Sequence, residues 1–321
     1  MKEKERNKLI KKISEIQLPG SIMNFVEKYE KIWRSRDIFL WKWSYSFLTS
    51  RNPKITFSCV PEKDFYKINE LKTLIIMFIS LLDDAADKYK NKKLLEELSK
   101  IPFEKTKSKR LSEKVKFGYE LWEYIYKNVS KLPRFREFKD IFMFDVRAMM
   151  NCFYYSFLIN KHINVINFTE SKIHGGYNMG TFLYVDLDLM ASPEFDENEL
   201  PWIREITWHA QQMARIGNWI STWEREINEK DFTSGMFSYS LMNKILSLED
   251  IRLLETKNIE KRNHVISKIA PKIEKIFLGE WKRNYQKIKA LSKNVKTVDI
   301  DEFLKGLERV LKYHLASRGL K

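Results

Sequence analysis

Two stretches of the chain place oxygen-bearing side chains at helical spacing. In the first, nine apolar or small residues (74–82) lead into DDAAD, with Asp83, Asp84 and Asp87. On one helix Asp83 and Asp87 lie about 40° apart around the axis. Like charges at the end of an apolar face repel one another, so the cluster predicts bound cations. Carboxylates are ligands for hard divalent ions such as Mg²⁺.

The second stretch is GNWISTWEREINEKD, residues 217–231. Asn218, Thr222 and Glu226 follow at four-residue spacing and span about 80° of a helix. Amide, hydroxyl and carboxylate oxygens together form a candidate site for one hard cation. Arg225 precedes Glu226 and is a candidate for contact with an anion bound to that metal. Each stretch alone has a simpler interpretation, as a helix end in solvent or as the polar face of an amphipathic helix.

Together, in this order and at this separation, the motifs resemble the paired metal-binding motifs of class I terpene cyclases (terpene synthases), microbial type. The resemblance spans most of the chain. It implies a single-domain α-helical barrel around an apolar cavity, with facing helices that hold three Mg²⁺ ions, Mn²⁺ being an alternative. Trp219 departs from the Asp that usually follows the Asn. The implied metal ligands are Asp83, Asp84, Asp87, Asn218, Thr222 and Glu226. The resemblance also implies that Asp83 and Arg225 are catalytic and that Arg225 binds the substrate.

The resemblance implies an enzyme of the carbon–oxygen lyase class. The metal ions would bind the diphosphate of a linear prenyl substrate and make it a leaving group. The resulting carbocation would cyclise to a terpene hydrocarbon or alcohol. Farnesyl (C15) and geranylgeranyl (C20) diphosphates are both candidates, and no residue indicates the product skeleton. Such barrels often form homodimers, which this sequence neither favours nor excludes.

Two further features of the resembled family are matched less well. Its diphosphate-sensing Arg precedes the Asn by about 46 residues, where this chain has Lys172. Gly176 occupies the helix-breaking position four residues later. His174 is the other candidate for the diphosphate sensor. A lysine offers a point charge rather than a bidentate fork. The Arg-Tyr pair that closes the site has no clear counterpart; its candidates are Lys312, Tyr313 and Arg318, or Arg283 with Tyr285.

Aromatic side chains near the motifs are candidates for the wall of a hydrocarbon cavity, because aromatic faces stabilise positive charge. Most aromatics at helical spacing are core residues, so each assignment is an expectation only. The wall candidates are Phe78, Phe153, Phe157, Phe182, Trp208 and Trp219. An acidic group further along the chain is expected to be a solvated loop around Pro193 rather than a second metal site. Its members are Asp186, Asp188, Glu194, Asp196, Glu197 and Glu199.

The elements that must position these residues are predicted to be helical. The 321-residue chain has only 10 Gly and 8 Pro, and apolar residues recur at three- and four-residue spacing in many segments. This predicts an all-α bundle of about ten helices in one domain, residues 1–321. The best strand candidate is ITFSCV (55–60), which also suits an extended loop.

Cysteine usage and the lack of long apolar runs indicate the compartment. Cys59 and Cys152 form neither a disulfide framework nor a zinc motif. The N-terminal MKEKERNKLIKK lacks the apolar segment of a secretory signal. The longest apolar run is about nine residues, whereas crossing a bilayer takes roughly 20. We therefore expect a cytoplasmic protein without membrane insertion.

The net charge of +15 leaves other functions open. Residues 255–321 hold 17 Lys/Arg against 8 Asp/Glu, at spacings that suit solvated helix faces. One alternative is a prenyl diphosphate elongating or head-to-head condensing synthase, but these carry two Asp-rich motifs. The other is a non-catalytic helical protein that binds RNA or anionic membrane through a basic face. Only WKRNYQK (281–287) interleaves aromatic and basic residues in that way, and we expect no nucleic-acid partner.

Overall fold

The computed structural model describes residues 2–104, 110–256 and 258–320. All regular structure in these ranges is helical and no strand is present, which confirms the predicted all-α class. Residues 55–60 form a loop. The helices are α1 (Glu3–Ser14), α2 (Gly20–Ile32), α3 (Ile38–Leu48), α4 (Phe65–Asp83), α5 (Lys92–Lys100), α6 (Glu113–Val129), α7 (Phe135–Lys161), α8 (Phe168–Gly176), α9 (Thr181–Ala191), α10 (Leu200–Asn228), α11 (Gly235–Met242), α12 (Leu248–Leu254), α13 (Ile259–Ile269), α14 (Lys272–Leu291) and α15 (Ile300–Ala316).

The helices in the described ranges outnumber the ten expected, because short helices such as α11 and α12 lie between the longer ones. Helices near the site begin where sequence signals place them. The Asp37 carboxylate accepts a 2.7 Å hydrogen bond from the Phe39 N–H and caps α3. Pro201 lies in the first turn of α10, where its missing N–H costs nothing.

Five helices form a closed ring. Helix α3 packs on α4, α4 on α9, α9 on α10, α10 on α15, and α15 again on α3. Outside the ring, α6 packs on α4, α7 on α9, and α14 on α10. Because the ring closes, its interior is walled on all sides by helix faces.

Burial of apolar side chains holds the helices together. The largest cluster of buried apolar residues extends along the chain from Ile22 to Leu307. Each fully buried Leu, Ile or Phe side chain contributes about 1.5–3 kcal/mol relative to exposure. Among the described residues, none of the helices combines the length and apolar composition needed to cross a bilayer.

Gly306 lets α15 approach the loop before α4 closely enough to complete the ring. A Cβ atom at this position would lie 2.4 Å from the Lys54 carbonyl oxygen, which is backbone and cannot swing aside. We therefore expect Gly306→Ala to lower the free energy of unfolding in urea by about 1–3 kcal/mol.

Gly279 provides the control for this prediction. It lies within α14, where an added Cβ would come no closer than 3.8 Å to the Arg283 side chain. Gly279→Ala should leave stability unchanged or raise it by up to about 1 kcal/mol, because alanine favours helix. Equal effects of the two substitutions would contradict the proposed close approach at Gly306.

Candidate functional site

The two sequence motifs meet at one cavity of about 350 Å³ inside the helical ring. Asp83 and Asp87 line it from the end of α4. Asn218, Thr222 and Glu226 line it from the second half of α10. Their four-residue spacing keeps them on one face of that helix, as the sequence indicated.

The aspartates lie where α4 changes its winding. The α-helix ends at Asp83, and a π-helical turn, Asp84–Lys88, follows. In this wider turn the Tyr89 N–H donates a 2.7 Å hydrogen bond to the Asp84 carbonyl oxygen, five residues back. The spacing of DDAAD predicts that Asp83 and Asp87 lie on one regular α-helix, so the π turn is a correction. Such turns recur at functional sites.

Asp84 points away from the cavity and is fully buried. Its Oδ2 accepts a 2.6 Å hydrogen bond from the Tyr29 hydroxyl and another from the Ser35 hydroxyl. Its Oδ1 lies 2.7 Å from Nη2 of Arg36. The expected metal ligand is thus saturated by protein partners, and this placement gives it a structural role.

Four cationic side chains also line the cavity: Arg36, Lys88, Arg215 and Arg225. Arg36 forms ion pairs with both Asp83 and Asp84. Arg225 forms an ion pair with Glu229. A diphosphate-sized anion would therefore meet positive charge on both sides of the cavity.

Arg215 was not singled out by the sequence analysis. It is only 5% exposed, and Nη1 donates a 2.9 Å hydrogen bond to Oδ1 of Asn218. Its guanidinium lies over the Trp219 ring, 5.3 Å from the centroid. The available signal was its position three residues before Asn218, one helical turn away on the same face.

The carboxylates of the cavity are crowded. Asp231, just after α10, also lines it, and Nδ2 of Asn160 donates to Oδ1 of Asp87 (2.8 Å) and of Asp231 (3.2 Å). Burial, together with the charges of Asp231 and Asp83, raises the pKa of Asp87 well above its usual range. Burial and the charge of Asp231 raise the pKa of Glu226 to about 7. Burial and mutual repulsion therefore disfavour the ionised forms of Asp87 and Glu226, and a bound cation would favour them.

This donor set fits a hard divalent cation. Carboxylate, amide and hydroxyl oxygens are present together, and Oε2 of Glu226 is buried without a hydrogen-bond partner in the described structure. No three His, Cys, Asp or Glu side chains of the described ranges are grouped as a ready-made metal site. Asp83 and Asn218 are engaged by Arg36 and Arg215, so a metal ion would have to displace these contacts.

An apolar compartment of about 110 Å³ extends from the charged cavity. The two spaces share Trp43, Ile76, Ile79, Asn178, Met179 and His314. All five ring helices contribute to the compartment. Its other apolar or aromatic wall residues are Phe47, Leu48, Ile55, Tyr184, Val185, Ala214, Phe303, Leu307 and Val310.

The sensor candidates lie outside both spaces. Lys172 forms a 3.3 Å ion pair with Glu280, and His174 packs on the ring of Tyr155. The helical winding continues past α8 as a 3₁₀ turn, Tyr177–Met179, and breaks at left-handed Gly180, four residues after Gly176. Gly176 itself is the last residue of α8. There a Cβ would lie 2.9 Å from the Gln212 side chain, so this glycine permits close packing against α10.

The closing candidates are likewise outside both spaces. Lys312 is exposed, and Tyr313 is buried with its hydroxyl 2.9 Å from Oγ of Ser46. Arg318 forms ion pairs with Glu224 and Glu274. His314, one residue after Tyr313, is the side chain of this segment that lines the spaces.

The aromatic wall candidates pack into the protein instead of facing the cavity. Phe78 contacts Trp122, Trp219 contacts Phe277, and Phe182 stacks on Tyr177. Neither space is lined by Phe78, Phe153, Phe157, Phe182, Trp208 or Trp219. Trp43 of α3 is the aromatic residue that lines both.

The expectation of a solvated acidic loop is wrong for three of its members. Glu199 is 7% exposed and accepts hydrogen bonds from the Lys296 and Thr297 N–H groups. Asp186 and Asp188 lie on α9 and are each 1% exposed. Asp188 forms a buried ion pair with Lys72 of α4, with 2.6 Å between Nζ and Oδ1.

Comparison of the chain with models of protein families and with curated proteins gives no match. The functional assignment therefore depends on the geometry and chemistry of the site.

Proposed function

We propose that this protein is a Mg²⁺-dependent terpene cyclase of class I type, which ionises a linear prenyl diphosphate and cyclises the hydrocarbon chain. One observation carries the proposal. The DDAAD and Asn/Thr/Glu side chains line the same cavity from different helices, and an apolar compartment continues from it.

The cavity has the two characters that a prenyl diphosphate requires. Its outer part combines carboxylates with Arg36, Lys88, Arg215 and Arg225, which suits an anion held together with divalent cations. Its inner part is predominantly hydrocarbon and aromatic. A ligand with a charged head and an apolar tail matches this arrangement better than a uniformly polar or apolar one.

In the proposed mechanism Asp83, Asp87, Asn218, Thr222 and Glu226 would hold Mg²⁺. The bound ions supply positive charge that makes the diphosphate a good leaving group. Arg215 and Arg225 donate hydrogen bonds to the phosphate oxygens, where negative charge grows as the carbon–oxygen bond breaks. Asp84 orients Arg36 through a buried ion pair and does not bind metal.

The inner compartment then determines the fate of the hydrocarbon chain. Its apolar wall excludes water from the allylic cation, which solvent would otherwise quench to an open-chain alcohol. The Trp43 ring is positioned at the junction of the two spaces and stabilises positive charge by cation–π attraction. Wall shape limits how the chain can fold before ring closure.

The basic-protein alternative is disfavoured by the placement of its one supporting segment. Trp281 is only 7% exposed and stacks on Tyr285, so it offers no free face to a nucleobase. An elongating synthase carries two Asp-rich motifs, whereas the second motif that lines this cavity is Asn218, Thr222 and Glu226. The assay below distinguishes all three functions.

The direct test incubates purified protein with Mg²⁺ and geranyl, farnesyl or geranylgeranyl diphosphate, each alone and then with isopentenyl diphosphate. Pyrophosphate release and extracted products are measured together, with EDTA as the control. We expect metal-dependent release with a cyclic product from a single substrate. Longer diphosphates would indicate the elongating synthase, and no release from any substrate would contradict the proposal.

Metal binding also has a test that needs no substrate. Burial raises the pKa of Glu226 from an ordinary 4.5 to about 7 in the folded protein. At pH 8 Glu226 is therefore mostly ionised, and its buried charge lowers the stability of the folded state. We expect MgCl₂ to raise the melting temperature at pH 8. Glu226→Gln should raise the melting temperature without Mg²⁺ and reduce the response to Mg²⁺.

Glu224→Gln is the matched control, since Glu224 lies on the same helix but pairs with Arg318 outside the cavity. It should keep the full response to Mg²⁺. Equal Mg²⁺ responses of the wild type and Glu226→Gln would argue against a metal ion at Glu226.

A further inference from the structure

The apolar compartment contains one ion pair in its wall, Lys72 of α4 with Asp188 of α9. Each side chain is 1% exposed. Nζ of Lys72 donates a 2.8 Å hydrogen bond to Oδ2 of Asp188. Charged groups are therefore present deep in a space otherwise suited to hydrocarbon.

Stability alone does not account for this pair. Removing two ions from water costs several kcal/mol each, and apolar residues of similar volume are often at least as stabilising. Burial lowers the pKa of Lys72 and raises that of Asp188, so desolvation outweighs their mutual attraction. An expensive pair at the wall of a cavity is a candidate for a chemical role.

The carboxylate of Asp188 is held in a fixed orientation. Oδ2 accepts a 3.1 Å hydrogen bond from the Phe57 N–H in addition to that from Lys72. The Lys72 ammonium is in turn 3.3 Å from Oγ1 of Thr56. Backbone and side-chain donors thus fix Oδ2, while Oδ1 contacts the same Lys72 ammonium.

That second oxygen has spare capacity to accept a proton. Oδ1 lies 2.6 Å from Nζ of Lys72, and apart from this ion pair it is buried with no hydrogen-bond partner in the described structure. A buried carboxylate oxygen accepts more than one hydrogen bond when partners are present, and water is the usual partner at a polar site. The pair is therefore suited to hold a water molecule beside an apolar ligand.

We propose that Asp188, oriented by Lys72, is the general base for water addition at the end of the reaction, so that the product is an alcohol. This inference rests on the proposed function. The water oxygen forms a bond to the cationic carbon as one of its O–H bonds breaks. The proton passes to Oδ1 of Asp188 and leaves to solvent after product release, so carbocation and water yield alcohol and one proton.

The test follows pyrophosphate release and products in water enriched in oxygen-18, using the full chain with Mg²⁺ and prenyl diphosphates. Wild type should yield an alcohol that carries one oxygen-18. Asp188→Asn should lower the alcohol-to-hydrocarbon ratio at least about tenfold, because general base catalysis contributes about 10²–10⁴-fold. Pyrophosphate release should continue, which a merely structural defect would not allow.

A second variant tests the inference even if Asp188→Asn does not fold. The double substitution Lys72→Met with Asp188→Leu removes both charges together and is expected to fold, since it leaves no unpaired ion. It should release pyrophosphate and form hydrocarbon only. Lys67→Met, at an exposed position of α4, is the control and should retain the alcohol.

The possible results distinguish a failure of this inference from a failure of the proposed function. Pyrophosphate release with hydrocarbon as the only wild-type product, or with alcohol that lacks oxygen-18, would overturn the inference alone. An unchanged alcohol ratio in both variants would overturn it as well. Absence of pyrophosphate release from every substrate would overturn the proposed function and this inference together.

Discussion

Replacing Asp84 with asparagine should lower the free energy of unfolding by about 1.5–3 kcal/mol, the cost of disrupting buried hydrogen bonds to a charged group. Asp84 is fully buried, accepts a 2.6 Å hydrogen bond from Tyr29 and lies 2.7 Å from Nη2 of Arg36. An amide has one acceptor oxygen in place of two, so it cannot accept all the hydrogen bonds that Tyr29, Ser35 and Arg36 donate to Asp84, although Asp83 would still pair with Arg36. Urea unfolding without added Mg²⁺ measures the effect.

Asp83→Asn is the natural comparison, since Asp83 is the adjacent aspartate and also pairs with Arg36. Its side chain is 32% exposed, and Asp84 would still neutralise the arginine, so the stability cost should be about 1 kcal/mol or less. If Asp83 binds metal, the same substitution should abolish product formation in the folded protein. A larger stability loss for Asp83→Asn than for Asp84→Asn would contradict this division of roles.

This division was not readable from the sequence. DDAAD indicates a charged helix end, and its spacing correctly groups Asp83 with Asp87. The role of Asp84 depends on Arg36, which is 48 residues away along the chain. It also depends on a π-helical turn that the regular helical period does not anticipate. Local patterns predict which side chains share a face, whereas tertiary packing decides what that face meets.

The same limit explains why the aromatic wall candidates do not line the cavity. Apolar periodicity shows that Phe78 and Trp219 face inward, and both are fully or almost fully buried. It does not distinguish a face that packs on another helix from one that borders a cavity. Trp43 lines the cavity because α3 completes the ring between α15 and α4, a fact of tertiary packing.

Asp188 shows how a composition argument fails. Acidic residues near Pro193 were expected in solvent, yet Asp188 pairs with Lys72, which is 116 residues away. Its neighbours on α9 offered a clue, since TFLYVDLDLMA is otherwise almost entirely apolar. Charged residues within such a run are expensive to bury unless paired, so a partner elsewhere in the chain was implied.

Replacing Arg215 with alanine is expected to reduce turnover of a prenyl diphosphate by about 30- to 5,000-fold, the equivalent of about 2–5 kcal/mol for truncating a buried charged partner. Arg215 is almost fully buried at the cavity wall, and once metal has displaced its contact with Asn218 its guanidinium is proposed to donate to the phosphate oxygens. Rates of pyrophosphate release at saturating Mg²⁺ measure the loss. Arg215→Lys should recover only part of it, because lysine lacks the second donor of the guanidinium fork.

Lys172→Ala is the decisive comparison, because Lys172 occupies the position where the family resemblance expects the diphosphate sensor. Its ammonium lies 3.3 Å from Glu280, and Lys172 lines neither space. We therefore expect the turnover of Lys172→Ala to lie within about threefold of wild type, since a partly exposed ion pair contributes only about 0–1 kcal/mol. If Lys172→Ala were the more damaging of the two substitutions, the anion would bind at the end of α8 instead.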